Sequence, residues 1–225
     1  ASLLNVEHYD VVLDLRDVRT SPTFRSTTTV TFSATAGGST WIDLVADEVI
    51  AVTLNGIALD TSVYANDQVA LHNLAAKNTL IVDARCNCTR DGTGLHRFFD
   101  PVDNEAYLYS QFEVPDARQV YANFEQPDLK AEFTFTVTAP NHWEVVSNGA
   151  QESRTPVANG VDQWTFARTK RMSTYITAIV AGPYHHVHDE YTGQFGTYPL
   201  GLYCRKSLAE YLDHEELFKI TKQGF

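Results

Sequence analysis

From residue 6 to about residue 184 apolar and polar positions recur with a period of two, not 3.6. Val11, Leu13 and Leu15 are interleaved with Asp10, Asp14 and Arg16, the stretch 27–33 is rich in β-branched residues, and 49–54, 79–84, 132–137 and 175–180 are apolar runs of strand length. Between them stand Gly37-Gly38, Asn55-Gly56, Asp91-Gly92, Asn148-Gly149 and Asn159-Gly160, dipeptides that accept the positive φ of tight hairpins. Short strands punctuated in this way predict a mainly β chain, built as a multi-sheet antiparallel, sandwich-like domain. One short helix is expected near 115–122, because Pro115 suits a first helical position and Pro127 closes the stretch.

The pattern changes after Gly182-Pro183. Residues 184–204 read as a hairpin with Thr192-Gly193 near its turn. Ser207 and Glu210 then have the spacing of a capping box, which predicts a helix near 207–225 with Leu208, Tyr211, Leu212 and Phe218 near one face. An amphipathic helix without company needs something to cover it, so the division expected is a β domain over 1–183 and the beginning of a second domain over 184–225.

With 44% apolar and 20% charged residues, the 225-residue chain can bury a sizeable core. Seventeen Lys and Arg against 28 Asp and Glu give 17 − 28 = −11, a charge that repels a phosphate backbone and argues against nucleic acid as a partner. No run approaches the ~20 apolar residues of a membrane-spanning helix. The first residues also lack the basic and apolar regions of a secretory leader. Cys86, Cys88 and Cys204 are odd in number, and the first two lie too close along a strand to bridge well. Reduced thiols and a cytoplasmic location follow as expectations. The glycosylation sequon Asn87-Cys88-Thr89 would matter only outside the cell.

No catalytic constellation emerges from the residues themselves. His214-Glu215 opens like H-E-x-x-H, but the fifth residue is Phe218, so the second imidazole of that zinc motif is missing. His186 and His188 fall on one strand face near Asp189 and Glu190, where a solvated hairpin is the reading the residues favour. Gly37-Gly38 and the Gly92/Gly94 pair lack the strand–glycine–helix context of a phosphate loop. No metal or cofactor is therefore expected in this chain. The segment that stands out is 106–113: if extended, it sends Leu108, Ser110 and Phe112 to one face and Tyr107, Tyr109, Gln111 and Glu113 to the other.

Gln111-Phe-Glu-Val-Pro-Asp-Ala-Arg118, Phe124-Glu-Gln-Pro-Asp-Leu-Lys-Ala-Glu-Phe133, Trp143-Glu-Val-Val-Ser-Asn-Gly149 and the run from Met172 to Gly182 occur in order along the chain. Together they resemble the N-terminal domain of zinc aminopeptidases of the aminopeptidase N family, most closely the bacterial, actinobacterial-type enzymes. The resemblance implies a saddle-shaped all-β domain resting on a thermolysin-like catalytic domain, whose start the helix near 207–225 would represent. It also implies that the zinc ligands of the parent follow residue 225, leaving this piece without zinc and inactive alone. The family's Q-x-E element falls on Gln111 and Glu113. Glu113 is thereby implied to bind the α-amine of a peptide substrate, and Gln111 to line the pocket for its first side chain. Where family members often carry Phe-Pro-Cys-Phe-Asp-Glu-Pro, this chain reads Tyr121-Ala-Asn-Phe-Glu-Gln-Pro127. Two other readings stand beside this one: a stand-alone, non-enzymatic binding module displaying Tyr107, Tyr109, Trp41, Trp143 and Trp164, and the branch of the same family that opens lipid epoxides.

Overall fold

A computed structural model describes residues 4–225; residues 1–3, the start of the expected 1–183 domain, lie outside it. The strands are β1 (Leu4–Asp14), β2 (Thr23–Ala34), β3 (Thr40–Asp43), β4 (Glu48–Leu54), β5 (Ile57–Leu59), β6 (Tyr64–Ala65), β7 (Gln68–Leu71), β8 (Lys77–Asn87) and β9 (Gly94–Asp100). They continue with β10 (Glu105–Gln111), β11 (Glu132–Pro140), β12 (Glu144–Ser147), β13 (Gln151–Ala158), β14 (Val161–Phe166), β15 (Ile179–Gly182), β16 (His185–Gly193) and β17 (Gly196–Cys204). A single α-helix, α1 (His214–Gly224), closes the described chain. The mainly β reading holds.

An eight-stranded sheet has the order β13-β14-β11-β1-β2-β8-β4-β5, a four-stranded sheet the order β12-β15-β10-β9, and smaller sheets pair β16 with β17 and β3-β7-β6. Period-two alternation sets the buried face: Phe24, Ser26, Thr28, Val30 and Phe32 of β2 point inward, as do Asn78, Leu80, Val82, Ala84 and Cys86 of the neighbouring β8. In the core Tyr9 stacks on Phe133 at 4.9 Å, and the ring of Tyr121 stands edge-on to Tyr9, Phe133 and Phe135 at 6.2, 6.3 and 6.0 Å. Edge-to-face packing places the positive rim of one ring on the negative face of another, adding to the area buried.

Four local expectations are corrected. β1 pairs with β11 in parallel, so the large sheet is mixed. The helix near 115–122 shrinks to a 3-10 turn at Ala117–Gln119, preceded by a cis Val114-Pro115 bond. The turn and the residues after it are drawn into tertiary backbone bonds instead, Val45 N–H donating to Arg118 O and Asn123 pairing with Asp43. The run 175–180 splits into a 3-10 turn at Thr174–Ile176 and β15, because Thr177 Oγ1 donates back to Thr174 O. The helix expected near 207–225 is a 3-10 segment, Lys206–Tyr211, followed by α1, whose N-cap is Asp213 accepting from Glu216 N. Ser207 does not cap it: its hydroxyl donates to Asp100 Oδ2 at 2.6 Å, a partner 107 positions away.

Candidate functional site

The four-stranded sheet carries the residues singled out above. β10 runs antiparallel to β9, with Tyr107 opposite Phe98, Tyr109 opposite His96 and Gln111 opposite Gly94. On its other side it meets β15, whose Ile179 N–H donates to Ser110 Oγ at 2.8 Å. Leu108 is fully buried, and Phe112, just past the strand end, is 2% exposed with its ring 6.1 Å from Tyr121. Gln111 and Glu113 flank this anchor and are both exposed, so the alternation forecast for 106–113 holds at its C-terminal end.

It fails at Tyr107, which is 1% exposed although it shares a face with Tyr109. The cause lies in sequence-distant residues: Tyr184 packs edge-on over Tyr107 at 5.0 Å, and Arg205 sets its guanidinium 4.5 Å from the centre of the Phe98 ring. Together with His96 and Tyr109 these residues line a cavity of about 280 Å³. Nothing local in the sequence marks His96, Phe98, Tyr184 or Arg205 as neighbours; only the β9–β10 register and the return of the chain at 184–205 gather them.

Past Glu113 the backbone turns, with Asp116 N–H donating to Phe112 O at 3.3 Å. Glu113 N–H itself donates to Gln111 Oε1 at 2.5 Å, coupling the two candidate side chains through the main chain. Gln119 fastens the turn to the β9 edge through Asp116 Oδ1 at 2.7 Å and Thr93 Oγ1 at 3.2 Å. Gly94, directly across from Gln111, has φ +55°, and a Cβ there would lie 2.9 Å from Gln119 Cβ, so a glycine is required for the turn to sit so close. Behind it, Glu125 accepts from Arg118 N at 2.8 Å and Thr174 Oγ1 at 3.0 Å, and burial raises its carboxyl above the usual carboxylate range. Glu113 therefore projects from a turn braced on three sides and held from below by Phe112.

The other sequence candidates do not converge into a metal centre. His186 and His188 lie 4.8 Å apart beside Tyr203, but the neighbouring Asp189 carboxylate is taken by Lys222 Nζ at 2.6 Å. His214 opens α1, and Phe218, one turn on, is buried. Among the described residues no group of three or more His, Cys, Asp or Glu is placed to hold a metal ion, so the residues present do not fit a zinc site. Nor is any described helix long and apolar enough to cross a membrane. The three cysteines are free.

Residues 5–176 match the family described as the Peptidase M1 N-terminal domain. Over 228 aligned residues, 100% of this chain and 26% of the relative, the sequence is 53% identical to the aminopeptidase N of Streptomyces lividans. A shorter alignment, 48% of the chain and 29% of the relative, is 37% identical to the aminopeptidase N of Acetobacter pasteurianus. The fold is like that of a solved Legionella pneumophila aminopeptidase A in complex with aspartic acid, at TM-score 0.81 and 18% identity over 95% of this chain and 25% of that one. The chain thus spans about a quarter of the length of these relatives.

Proposed function

The chain belongs to the Peptidase M1 N-terminal domain family, of the actinobacterial aminopeptidase N type, and from that premise we propose that it is the part of a zinc aminopeptidase that anchors the free N-terminus of a peptide. The observation that carries this reading is the disposition of Gln111 and Glu113, exposed on either side of the buried Phe112 at the end of β10. A carboxylate held on a braced turn can meet a charged ligand without first losing the conformational freedom of a loose loop.

A peptide's α-amine, with an ordinary pKa of ~7.7–8.0, is largely ammonium at neutral pH and donates strong, charge-assisted hydrogen bonds to a carboxylate. An internal amide carries no such charge. Glu113 would thus select chain ends, and Gln111, with one donor and one acceptor group, would line the pocket for the first side chain. Residues 1–183 form the substrate-anchoring β domain in this reading, and residues 184–225 are the first hairpin and helix of the catalytic domain. Zinc in the parent would be held by residues outside this chain, and the three free thiols fit a cytoplasmic parent.

The experiment is a side-by-side assay of the 225-residue chain and the whole parent protein with a leucine p-nitroanilide, alongside metal analysis of both. The parent is expected to carry zinc and release p-nitroaniline, and the chain alone to do neither. Zinc-dependent cleavage by the chain alone, or a parent without zinc, contradicts the assignment.

A further inference from the structure

We propose that Asn159 is a site of spontaneous deamidation, and that Asn55 and Asn148, which share its Asn-Gly sequence, are protected by the fold. In such a dipeptide the next main-chain nitrogen can approach the side-chain carbonyl carbon, because glycine has no Cβ to obstruct it. The Gly160 nitrogen attacks Asn159 Cγ and yields its proton to the side-chain nitrogen, which leaves as ammonia. The new C–N bond closes a five-membered succinimide. Water then opens the ring: cleavage at Cγ leaves aspartate, and cleavage at the Asn159 main-chain carbonyl leaves isoaspartate. Either product adds one negative charge. Isoaspartate also lengthens the main chain by a methylene next to Gly160, whose carbonyl accepts Asn141 N–H at 2.9 Å, so the tie between the turn and Asn141 loosens.

All three asparagines are exposed, so exposure does not separate them; what holds their amides does. Asn55 Nδ2 donates to Asn78 Oδ1 at 3.0 Å, and its Oδ1 accepts Thr79 N–H at 2.9 Å. Asn148 Nδ2 donates to Ile176 O at 2.9 Å, and its Oδ1 accepts Ala178 N–H at 2.7 Å. Each of these amides must release two hydrogen bonds before Cγ can turn toward the glycine nitrogen. The Asn159 amide has no hydrogen-bond partner among the described residues, and the space around Gly160 is open. The strand leading into the turn adds freedom. β13 is an edge of the large sheet, pairs only with β14 and buries none of its residues. Its pairing slips between Pro156 and Ala158, and Pro156 has no N–H to give the ladder. A hairpin secured so lightly opens locally at little cost, which lets the Gly160 nitrogen and Asn159 Cγ meet.

The test is peptide mapping by mass spectrometry of the folded 225-residue chain held in mildly alkaline buffer, beside a sample kept in urea. Isoaspartate is counted with a methyltransferase that labels isoaspartyl carboxylates. In the folded chain Asn159 is expected to convert first, with Asn55 and Asn148 slower by about tenfold or more, the effect of releasing two hydrogen bonds before reaction. In urea the three rates should converge, since the sequence motif is then all that acts. Asn159→Gln, at an exposed turn position, is expected to remove the early acidic species and to leave Asn55 and Asn148 as slow as before. Conversion of Asn55 or Asn148 in the folded chain as fast as that of Asn159 overturns the proposal. So does an Asn159 that stays intact in the folded chain while urea converts all three.

Discussion

Arg205 Nη1 reaches Asp100 Oδ2 at 2.7 Å, joining residues 105 positions apart through a carboxylate that is only 1% exposed. Ser207 Oγ donates to the same oxygen at 2.6 Å, and the second oxygen accepts Val102 N–H at 2.9 Å. The chain that returns after β17 is thereby tied to the β9–β10 hairpin, beneath the strand that ends at Gln111. These partners, the Ser207 hydroxyl foremost, hold the Asp100 carboxyl below its ordinary value of 3.8.

That depression fixes the sign of a pH effect. A carboxylate whose folded-state pKa lies below its unfolded value contributes stability that is fully present above the unfolded value and lost as pH falls through the folded one. Asp100→Asn is expected to lower the melting temperature at neutral pH, with the gap to wild type constant down to the ordinary carboxylate value and closing only in more acid solution. Parallel thermal melts between pH 7 and pH 2 check this; a gap that widens on acidification contradicts it.

Tyr121 separates packing from hydrogen bonding. Its ring touches Tyr9, Phe112, Phe133 and Phe135, and its hydroxyl lies 2.9 Å from Thr177 Oγ1. Tyr121→Ala is expected to cost about 3–5 kcal/mol, as large-to-small changes at buried aromatics do, whereas Tyr121→Phe should cost about 1 kcal/mol for the lost hydrogen bond. Urea unfolding of the two variants measures both.

The thiols should differ sharply in reactivity. Burial pushes Cys86 and Cys88 up to about 12, leaving almost no thiolate at neutral pH, while Cys204 is raised less. A disulfide reagent at pH 8 is expected to modify Cys204 first and to reach Cys86 and Cys88 only when denaturant is added. Mass spectrometry of the partly labelled protein identifies the order.

Gly149 illustrates a glycine whose role is space. A Cβ there would lie 2.0 Å from Ala167 O, in a chain segment fixed by Ala167 N–H donating to Ala150 O at 2.8 Å. Gly160, at the β13–β14 turn with φ +70°, has open space around it. Gly160→Ala is therefore expected to cost ~1–2 kcal/mol of left-handed strain. Gly149→Ala should cost more, because backbone must move, and comparing the two melts ranks them.

Alternation carried most of the fold because the inner strands of the large sheet bury one face, as β2 and β8 do at every second residue, whereas the edge strands β13 and β5 bury none. The parallel pairing of β1 with β11 left no such mark, since a strand's pattern is the same whichever way its neighbour runs. Local motifs misled where a distant partner outbid the local one. Ser207 had the spacing of a cap but donates to Asp100, and Pro115 had the profile of a helix start but sits in a segment held by Val45 and Asp43. Asn148-Gly149 was expected as a positive-φ turn, yet it is the approach of Ala167 that requires its glycine.

Much the same division applies to the candidate site. The exposure of Gln111 and Glu113 followed from two-residue alternation around an apolar Phe112, and their proposed roles followed from the family resemblance. Tyr184 and Arg205 were invisible because each acts on β9 and β10 across at least 70 intervening residues, through contacts such as Tyr184 Oη to Leu108 O, 76 positions apart, and Arg205 Nη1 to Asp100 Oδ2, 105 apart. Residues 107 and 109 look equivalent in sequence; Tyr184 packed edge-on to Tyr107, with Asp103 and Lys206 N–H on its hydroxyl, makes one buried while the other stays open.

The central claim is that the Glu113 carboxylate binds the ammonium end of a peptide. Steady-state kinetics of the full-length, zinc-loaded aminopeptidase with Glu113→Ala test it most directly. A hydrogen bond to a charged group is worth ~1.5–3 kcal/mol, so kcat/KM should fall about 10- to 100-fold or more. A kcat/KM that matches wild type in a folded, zinc-replete variant contradicts the account.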